Sequence, residues 1–257
     1  MESVIIKLSG ALTDVKSSVE LISKYIHDLH QNSQNAIVIH GGGKQINELG
    51  NSLGVESTQI QGRRVTTKEV LKILTYTVAG SINIGLVSAL RSNGLRAVGI
   101  TGIDGEITTS TKRKPLIIEG VEVDFELVGE IEQVDTDLIQ VLCNNGYTPV
   151  IGCLTWSSLE GILNINADTF ATKLAVSCDS KELLVLMDPP FVRDANQIRI
   201  KELTENVFFE GISSGWIQGG MIPKLKTGFD ALKAGVTKVR LTNPDGLITD
   251  MGTILTL

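Results

Sequence analysis

The sequence predicts an α/β protein built as an open, mainly parallel sheet sandwiched between helices, with an antiparallel hairpin flap. Three observations predict it. Short apolar, β-branched runs of strand length recur along the chain, and stretches with helical three- and four-residue spacing separate them. Strands alternating with helices close a parallel sheet covered on both faces. Residues 112 to 134 break that pattern with period-two alternation, which is hairpin material.

In order, Val4 to Leu8 reads as a buried strand, and Val15, Val19, Ile22, Ile26 and Leu29 then mark one face of a helix. Ala36 to Ile39 is a second strand, and it runs into His40-Gly41-Gly42-Gly43. Val70, Ile73, Leu74, Thr77 and Val78 give the next helix, and Gly94 punctuates before the strand Ala97 to Ile100. Val121, Val123, Phe125 and Leu127 alternate with Glu122, Asp124 and Glu126, predicting a flap at the sheet's edge. Helix then strand recurs at Asp135–Asn145 with Thr148–Ile151, and at Ala167–Ser177 with Leu183–Met187. No linker marks a firm boundary; the reading divides the chain into lobes 1–180 and 181–257 of one continuous sheet.

The length of 257 residues suits one large domain or two small lobes. A net charge of -6 argues against a protein that coats nucleic acid or an anionic membrane, so any bound anion must be held by local geometry. Cys143, Cys153 and Cys178 are widely spaced with no C-x-x-C, and read as small buried hydrophobes in a reducing compartment. The chain opens on a strand, no signal peptide is legible and no apolar run reaches membrane-spanning length, so a cytoplasmic protein is expected.

The motifs suggest an anion site. Three glycines at the end of a buried strand let backbone N–H groups approach a charged ligand, and the following helix adds its positive end; a plain tight turn explains them equally well. Lys7 sits inside an apolar strand, where a lysine is costly unless an anion meets it or it snorkels to an edge. Ligands of open α/β sheets bind at strand carboxyl ends, which brings Lys7 and the glycine turn to one place. Asn164, Asn166 and Asp168 alternate before a helix and so share one side of an extended segment, although Asp168 also suits a helix N-terminus. Gly219-Gly220-Met221-Ile222-Pro223-Lys224 opens a helix and places Lys224 near its positive end, either to meet an anion or to be solvated. Arg64 precedes a helix and suits a two-pronged carboxylate contact; solvation is the plainer reading.

Rival motifs fail. His-Gly-Gly-Gly and Gly211-Ile212-Ser213-Ser214-Gly215 suggest an esterase, but the only histidines, His27, His30 and His40, all precede the serine. Gln45 follows Lys44 where a P-loop carries Ser or Thr, and G-x-G-x-x-G is absent.

Taken in order, Ile-Lys-Leu-Ser-Gly, Ile-His-Gly-Gly-Gly, Gly-Arg-Arg-Val-Thr, Asn-Ile-Asn-Ala-Asp and Gly-Gly-Met-Ile-Pro-Lys resemble the amino acid kinase family over essentially the whole chain. The resemblance implies the amino acid kinase or carbamate kinase-like fold. Its N-terminal lobe takes an acyl amino acid, with dimerisation there, and its C-terminal lobe takes ATP. Within the family the chain looks like members that phosphorylate the side-chain carboxylate of an N-acylglutamate in arginine biosynthesis. By that resemblance Lys7 and Lys224 stabilise the transferring phosphoryl group, Asp168 orients both lysines, and Gly10, Gly42 and Gly43 donate N–H groups. Arg64 and Asn164 hold the α-carboxylate, supported by Asn166. Asp188, Gly220, Met221 and Lys224 contact the nucleotide, and Mg2+ is held mainly by its phosphates, with no protein metal site.

The chain departs from the family's pattern at Ser9, where glycine is usual, and at Asp188-Pro189-Pro190-Phe191, where Asp-Val-Pro-Gly is common; the second departure puts the adenine contacts in doubt. Arg63 stands where an apolar residue is common. Its charge makes N-succinylglutamate a candidate substrate beside the N-acetyl compound, with a surface arginine as the plainer reading. Arginine-inhibited members carry an extra N-terminal helix that builds a hexamer; a homodimer insensitive to arginine is expected here. The remaining alternatives are a sister kinase acting on aminoadipate or aspartate, and a non-catalytic sensor of the same fold.

Overall fold

A computed structural model describes residues 2–13, 15–118 and 120–257. Its first half runs β1 (Ser3–Leu8), α1 (Lys16–Gln31), β2 (Asn35–His40), α2 (Gly43–Ser52), β3 (Gln59–Ile60), β4 (Arg63–Arg64), α3 (Lys68–Leu74), α4 (Asn83–Ser92) and β5 (Ala97–Thr101). Then come β6 (Thr108–Lys112), β7 (Leu116–Ile118), β8 (Val121–Val123), β9 (Gly129–Val134), α5 (Asp137–Asn144), β10 (Thr148–Gly152), β11 (Leu154–Ser157) and β12 (Gly161–Asn164). The last part holds α6 (Ala167–Ser177), β13 (Glu182–Leu186), β14 (Glu202–Thr204), α7 (Glu205–Ser213), α8 (Met221–Lys233), β15 (Lys238–Thr242), α9 (Pro244–Thr249) and β16 (Thr253–Thr256).

Eight strands form the central sheet in the order β14-β16-β15-β13-β1-β2-β10-β5. All pairings are parallel except β15 with β16. Every residue of β1 is buried, because helices cover both of its faces. Ile5, Ile37 and Ile39 face one core with Phe170 and Leu174 of α6, while Ile6, Val38 and Leu184 face the other with Ile22 and Ile26 of α1. Each fully buried Ile or Leu of this kind stabilises the fold by roughly 1.5–3 kcal/mol, which explains why the strands read as continuous apolar runs. Strands from both sides of residue 180 belong to this one sheet, since β1 pairs with β13 as well as β2.

The alternating stretch was expected as a flap on the sheet's edge and is found elsewhere. Antiparallel pairing of β6 with β9 and of β11 with β12 builds a separate four-stranded sheet, and β7 and β8 form a two-stranded hairpin of their own. Phe125, an expected flap residue, is fully buried. Hydrophobic alternation specified a two-sided ribbon; where that ribbon docks depended on partners far along the chain.

The helix expected around Val70 to Val78 is longer than its apolar pattern. Lys68–Ser92 runs as 25 continuous helical residues, with a π-helical segment at Thr75–Ile82 between α3 and α4. By length and composition it is apolar enough to cross a membrane, correcting the expectation that no run reaches that length. Val70, Ile73, Leu74, Val78, Ile82, Leu86 and Leu90 are buried within the fold, while Tyr76 and Ile84 are exposed, so the helix is buried along one side. The wider π turn rotates the helix so that Val78 meets Gly152, Ile82 meets Gly42, and Asn83 turns inward.

Candidate active site

The carboxyl ends of β1, β2 and β10 meet in register, with Leu8 opposite His40 and His40 opposite Gly152. Past those ends lies a cavity of about 250 Å³. It gathers Lys7, Gly10, Gly42, Gly43, Arg63, Arg64, Asn164, Asn166, Asp168 and Lys224, ten residues that the sequence placed in the site from five separate stretches.

Asp168 is the hub. Its Oδ1 is 2.5 Å from Lys7 Nζ and its Oδ2 is 3.4 Å from Lys224 Nζ. Lys7 is 4% and Asp168 7% exposed, so this is a buried pair with a more open second lysine. Burial works to raise the Asp168 pKa, but the charges of Lys7 and Lys224 outweigh it and hold the carboxyl below its ordinary value. Sequence left Asp168 between helix cap and site residue. The cap is Asn166, whose side-chain oxygen accepts from the N–H groups of Asp168 and Thr169 at 3.0 and 3.2 Å. Asp168, in the first turn of α6, is thereby free to face the lysines while enjoying the positive helix end.

The glycines make the wall. A Cβ on Gly42 would lie 2.3 Å from Ile82 Cδ1, and one on Gly10 would lie 3.2 Å from both Gly42 Cα and Gly43 N. The two turns touch at Gly10, where a side chain would press on the glycine turn, while one at Gly42 would press on Ile82. Gly43 differs, because a Cβ on it would meet nothing within 4 Å. No side chain caps α2, which starts at Gly43, so its first N–H groups are available to an anion. Lys44 takes no part; it is exposed and pairs with Glu48 at 3.7 Å.

Arg64 is buried and donates from Nη2 to the Gly43 carbonyl at 3.2 Å and from Nη1 to Ser57 Oγ. Asn164 Nδ2 donates to Thr66 Oγ1 at 3.0 Å, and Thr66 Oγ1 donates to the Arg64 carbonyl at 3.2 Å, so Asn164 and Arg64 share one network. Arg63 is half-buried on the same wall.

Three contributors escaped sequence reading. Gln45 Nε2 donates to the Gly10 carbonyl at 2.8 Å and to Thr13 Oγ1 at 3.1 Å, tying the first turn to α2. His40 is fully buried, with one ring nitrogen 3.0 Å from Asn83 Nδ2 and the other 3.1 Å from the Gly41 carbonyl. Desolvation pushes its pKa down to about 4, so the ring is neutral, accepting from Asn83 and donating to Gly41. Arg113 also lines the cavity; its signal was a basic run, Lys112-Arg113-Lys114, of the kind solvent usually surrounds.

A second cavity of about 920 Å³ adjoins the first, sharing Gly62, Arg63, Arg113 and Thr169, and runs past Gly220 along α6 and α8. Asp188 and Met221 line neither; Asp188 is exposed just past β13, and Met221 packs against the core at the start of α8. Among the described residues no group of three or more His, Cys, Asp or Glu side chains converges on a metal position.

A buried lysine, a second and more open one, uncapped helix N–H groups and a carboxylate hub, set at the carboxyl ends of a parallel sheet, define an enzyme of phosphoryl transfer to an anionic acceptor. The chain belongs to the amino acid kinase family, whose model matches residues 2–243. It is similar to the acetylglutamate kinase of Bacteroides thetaiotaomicron, at 34% identity over 97% of this chain and 96% of that one. It is similar also to that of Methanopyrus kandleri, at 33% identity over 98% and 99%. Among solved structures, smu.665 from Streptococcus mutans superposes with a TM-score of 0.84 at 23% identity, over 99% and 98% of the two chains. Carbamate kinase from Giardia lamblia bound to AMP-PNP gives 0.67 at 14% identity, over 99% and 98%, which shows the shared fold.

Proposed function

We propose that the chain transfers the γ-phosphoryl group of ATP to the side-chain carboxylate of N-acetyl-L-glutamate, the second step of arginine biosynthesis. The observation that carries this reading is the Lys7–Asp168–Lys224 bridge beside the glycine turn. A carboxylate oxygen forms the new bond to the γ-phosphorus while the bond to the β–γ bridging oxygen breaks, and ADP leaves with that electron pair. The acceptor is already ionised at neutral pH, so no general base is needed. Two anions must instead be aligned and their charge met.

In this reading Lys7 and Lys224 stabilise the transferring group from opposite sides, and Asp168 keeps them apart and aimed. N–H groups at Gly10, Gly42 and Gly43 hold phosphoryl and carboxylate oxygens. Arg64 and Asn164 take the α-carboxylate, with Asn166 supporting the wall. The lobe 1–180 binds the acid and the lobe 181–257 binds ATP, with Asp188, Gly220 and Met221 on the nucleotide side. Mg2+ arrives with the nucleotide and is held mainly by its phosphates, because Asp168, the carboxylate lining the cavity, is engaged by both lysines. A cytoplasmic homodimer belongs to the same reading; Tyr76 and Ile84 of the long helix stay 54% and 67% exposed on one copy.

Trapping the acyl phosphate with hydroxylamine tests the reaction. A hydroxamate that forms with ATP and N-acetyl-L-glutamate, and not with aspartate or aminoadipate, supports it. No hydroxamate from any acid favours a sensor.

A further inference from the structure

Two cations in the cavity have no task in the reaction as proposed. Lys7 and Lys224 answer the phosphoryl group, and Arg64 answers the α-carboxylate. Arg63 and Arg113 line the same cavity, both half-buried. Among the described residues neither guanidinium forms an ion pair within 4.0 Å or a side-chain hydrogen bond, and Arg113 Nε is shielded from solvent with no partner at all. Their neighbour Lys112 has its own counterion, Asp124, at 3.0 Å.

Leaving two like charges together and unanswered is costly. Burial lowers the Arg63 pKa, and the adjacent Arg113 charge lowers it further, against partial compensation from Glu130. Both arginines are held by backbone from different elements. Arg63 pairs across β3–β4 with Ile60, and the Arg113 N–H donates to the Val128 carbonyl at 2.8 Å. Two unpaired guanidinium groups on one cavity wall suit a carboxylate, which takes two-pronged contacts from arginine.

The substrate's connectivity says which carboxylate. An acylglutamate carries its α-carboxylate and its acyl-amino group on one carbon. Arg63 and Arg64 both line this cavity, so with the α-carboxylate on Arg64 the acyl group, carried on the same carbon, starts in the space that Arg63 borders. The side-chain carboxylate extends the other way, towards Lys7. The arginine pair lies where the first cavity meets the second, so the cavity wall does not close directly behind an acetyl group there.

We propose that Arg63 and Arg113 form a second carboxylate site at the acyl end of the cavity, and that the chain prefers an N-acylglutamate whose acyl group itself ends in a carboxylate. This rests on the kinase reading above and specifies its substrate class.

The test compares kcat/KM for N-succinyl-L-glutamate and N-acetyl-L-glutamate in the wild type, Arg63→Leu and Arg113→Leu, with KM for ATP measured alongside. The expected result is a wild-type preference for the succinyl acid of about tenfold or more, with each substitution reducing the succinyl-to-acetyl ratio by at least about tenfold. Turnover of the acetyl acid alone, or a ratio that neither substitution moves, overturns the arginine site and leaves the kinase reading standing. A raised KM for ATP at constant ratio also overturns it, by assigning the pair to nucleotide phosphates. Failure of both acids in the wild type overturns the kinase reading itself. The wild-type comparison needs no variant to fold.

Discussion

Lys7 Nζ lies 2.5 Å from Asp168 Oδ1, and both side chains are almost wholly removed from solvent. One stands on the first strand and the other in the first turn of α6, so the pair joins distant parts of the chain at the point where phosphoryl charge would develop. Replacing Asp168 with Asn leaves a buried ammonium without its counter-charge. That loss is expected to destabilise the fold by about 3–5 kcal/mol in urea unfolding and to reduce kcat by roughly a hundredfold or more. Lys7→Ala and Lys224→Ala should each lower kcat far more than they raise the KM for the acid. Lys7→Ala should cost more stability, because the Lys224 side chain is already 26% exposed. Near-normal kcat in both lysine variants removes their proposed roles.

Arg64 is expected to act mainly through binding. Its guanidinium reaches the Gly43 carbonyl and Ser57, which aims it at the same wall that the α-carboxylate would approach. Arg64→Ala should raise the KM for the acid by roughly tenfold or more with a smaller change in kcat, and Arg64→Lys should recover little, since lysine lacks the planar fork. A normal KM in Arg64→Ala means the carboxylate is held elsewhere.

Adjacent glycines should respond differently to the same substitution. A Cβ at Gly42 lands 2.3 Å from Ile82 Cδ1 in the π-helical segment, so Gly42→Ala displaces that side-chain end from its packed position and should cost about 1 kcal/mol of stability. Gly43→Ala meets no protein atom within 4 Å. It should leave unfolding within about 0.5 kcal/mol of wild type while raising the KM for the acid. Equal loss of stability in the two variants contradicts the separation of packing from binding.

His40 makes stability depend on acid. Its folded pKa, about 4, lies below the ordinary value of 6.5, so the unfolded state takes up a proton that the folded state refuses between those values. Stability from this group is therefore complete above about pH 6.5, falls as pH drops, and is lost by about pH 4, amounting to something on the order of 3 kcal/mol. Unfolding free energies at pH 7.5 and pH 5 should differ more in wild type than in His40→Gln, which has no ring to titrate. Identical pH dependence in both proteins would remove His40 as the cause.

The glycine turn, the two lysines, Asp168 and the main strands were legible because each is a local statement: a breaker beside an apolar run, or a charge inside one. Arg113 and Gln45 were not, since a basic run and an early helical glutamine look the same whether solvent or a cavity receives them. Asn166 lines the cavity, and its use as the α6 cap needed coordinates.

By itself, then, the sequence determined the sheet's strands, their alternation with helices and most of the charged groups at the site, because burial and backbone conformation act over a few neighbouring residues. Only the tertiary structure decided that Asn166 caps α6 and leaves Asp168 to the lysines, that the alternating ribbon makes a second sheet, and that Arg63 and Arg113 share a cavity wall. Those outcomes depend on which distant segments approach each other, and ion pairing and desolvation take their sign from that approach.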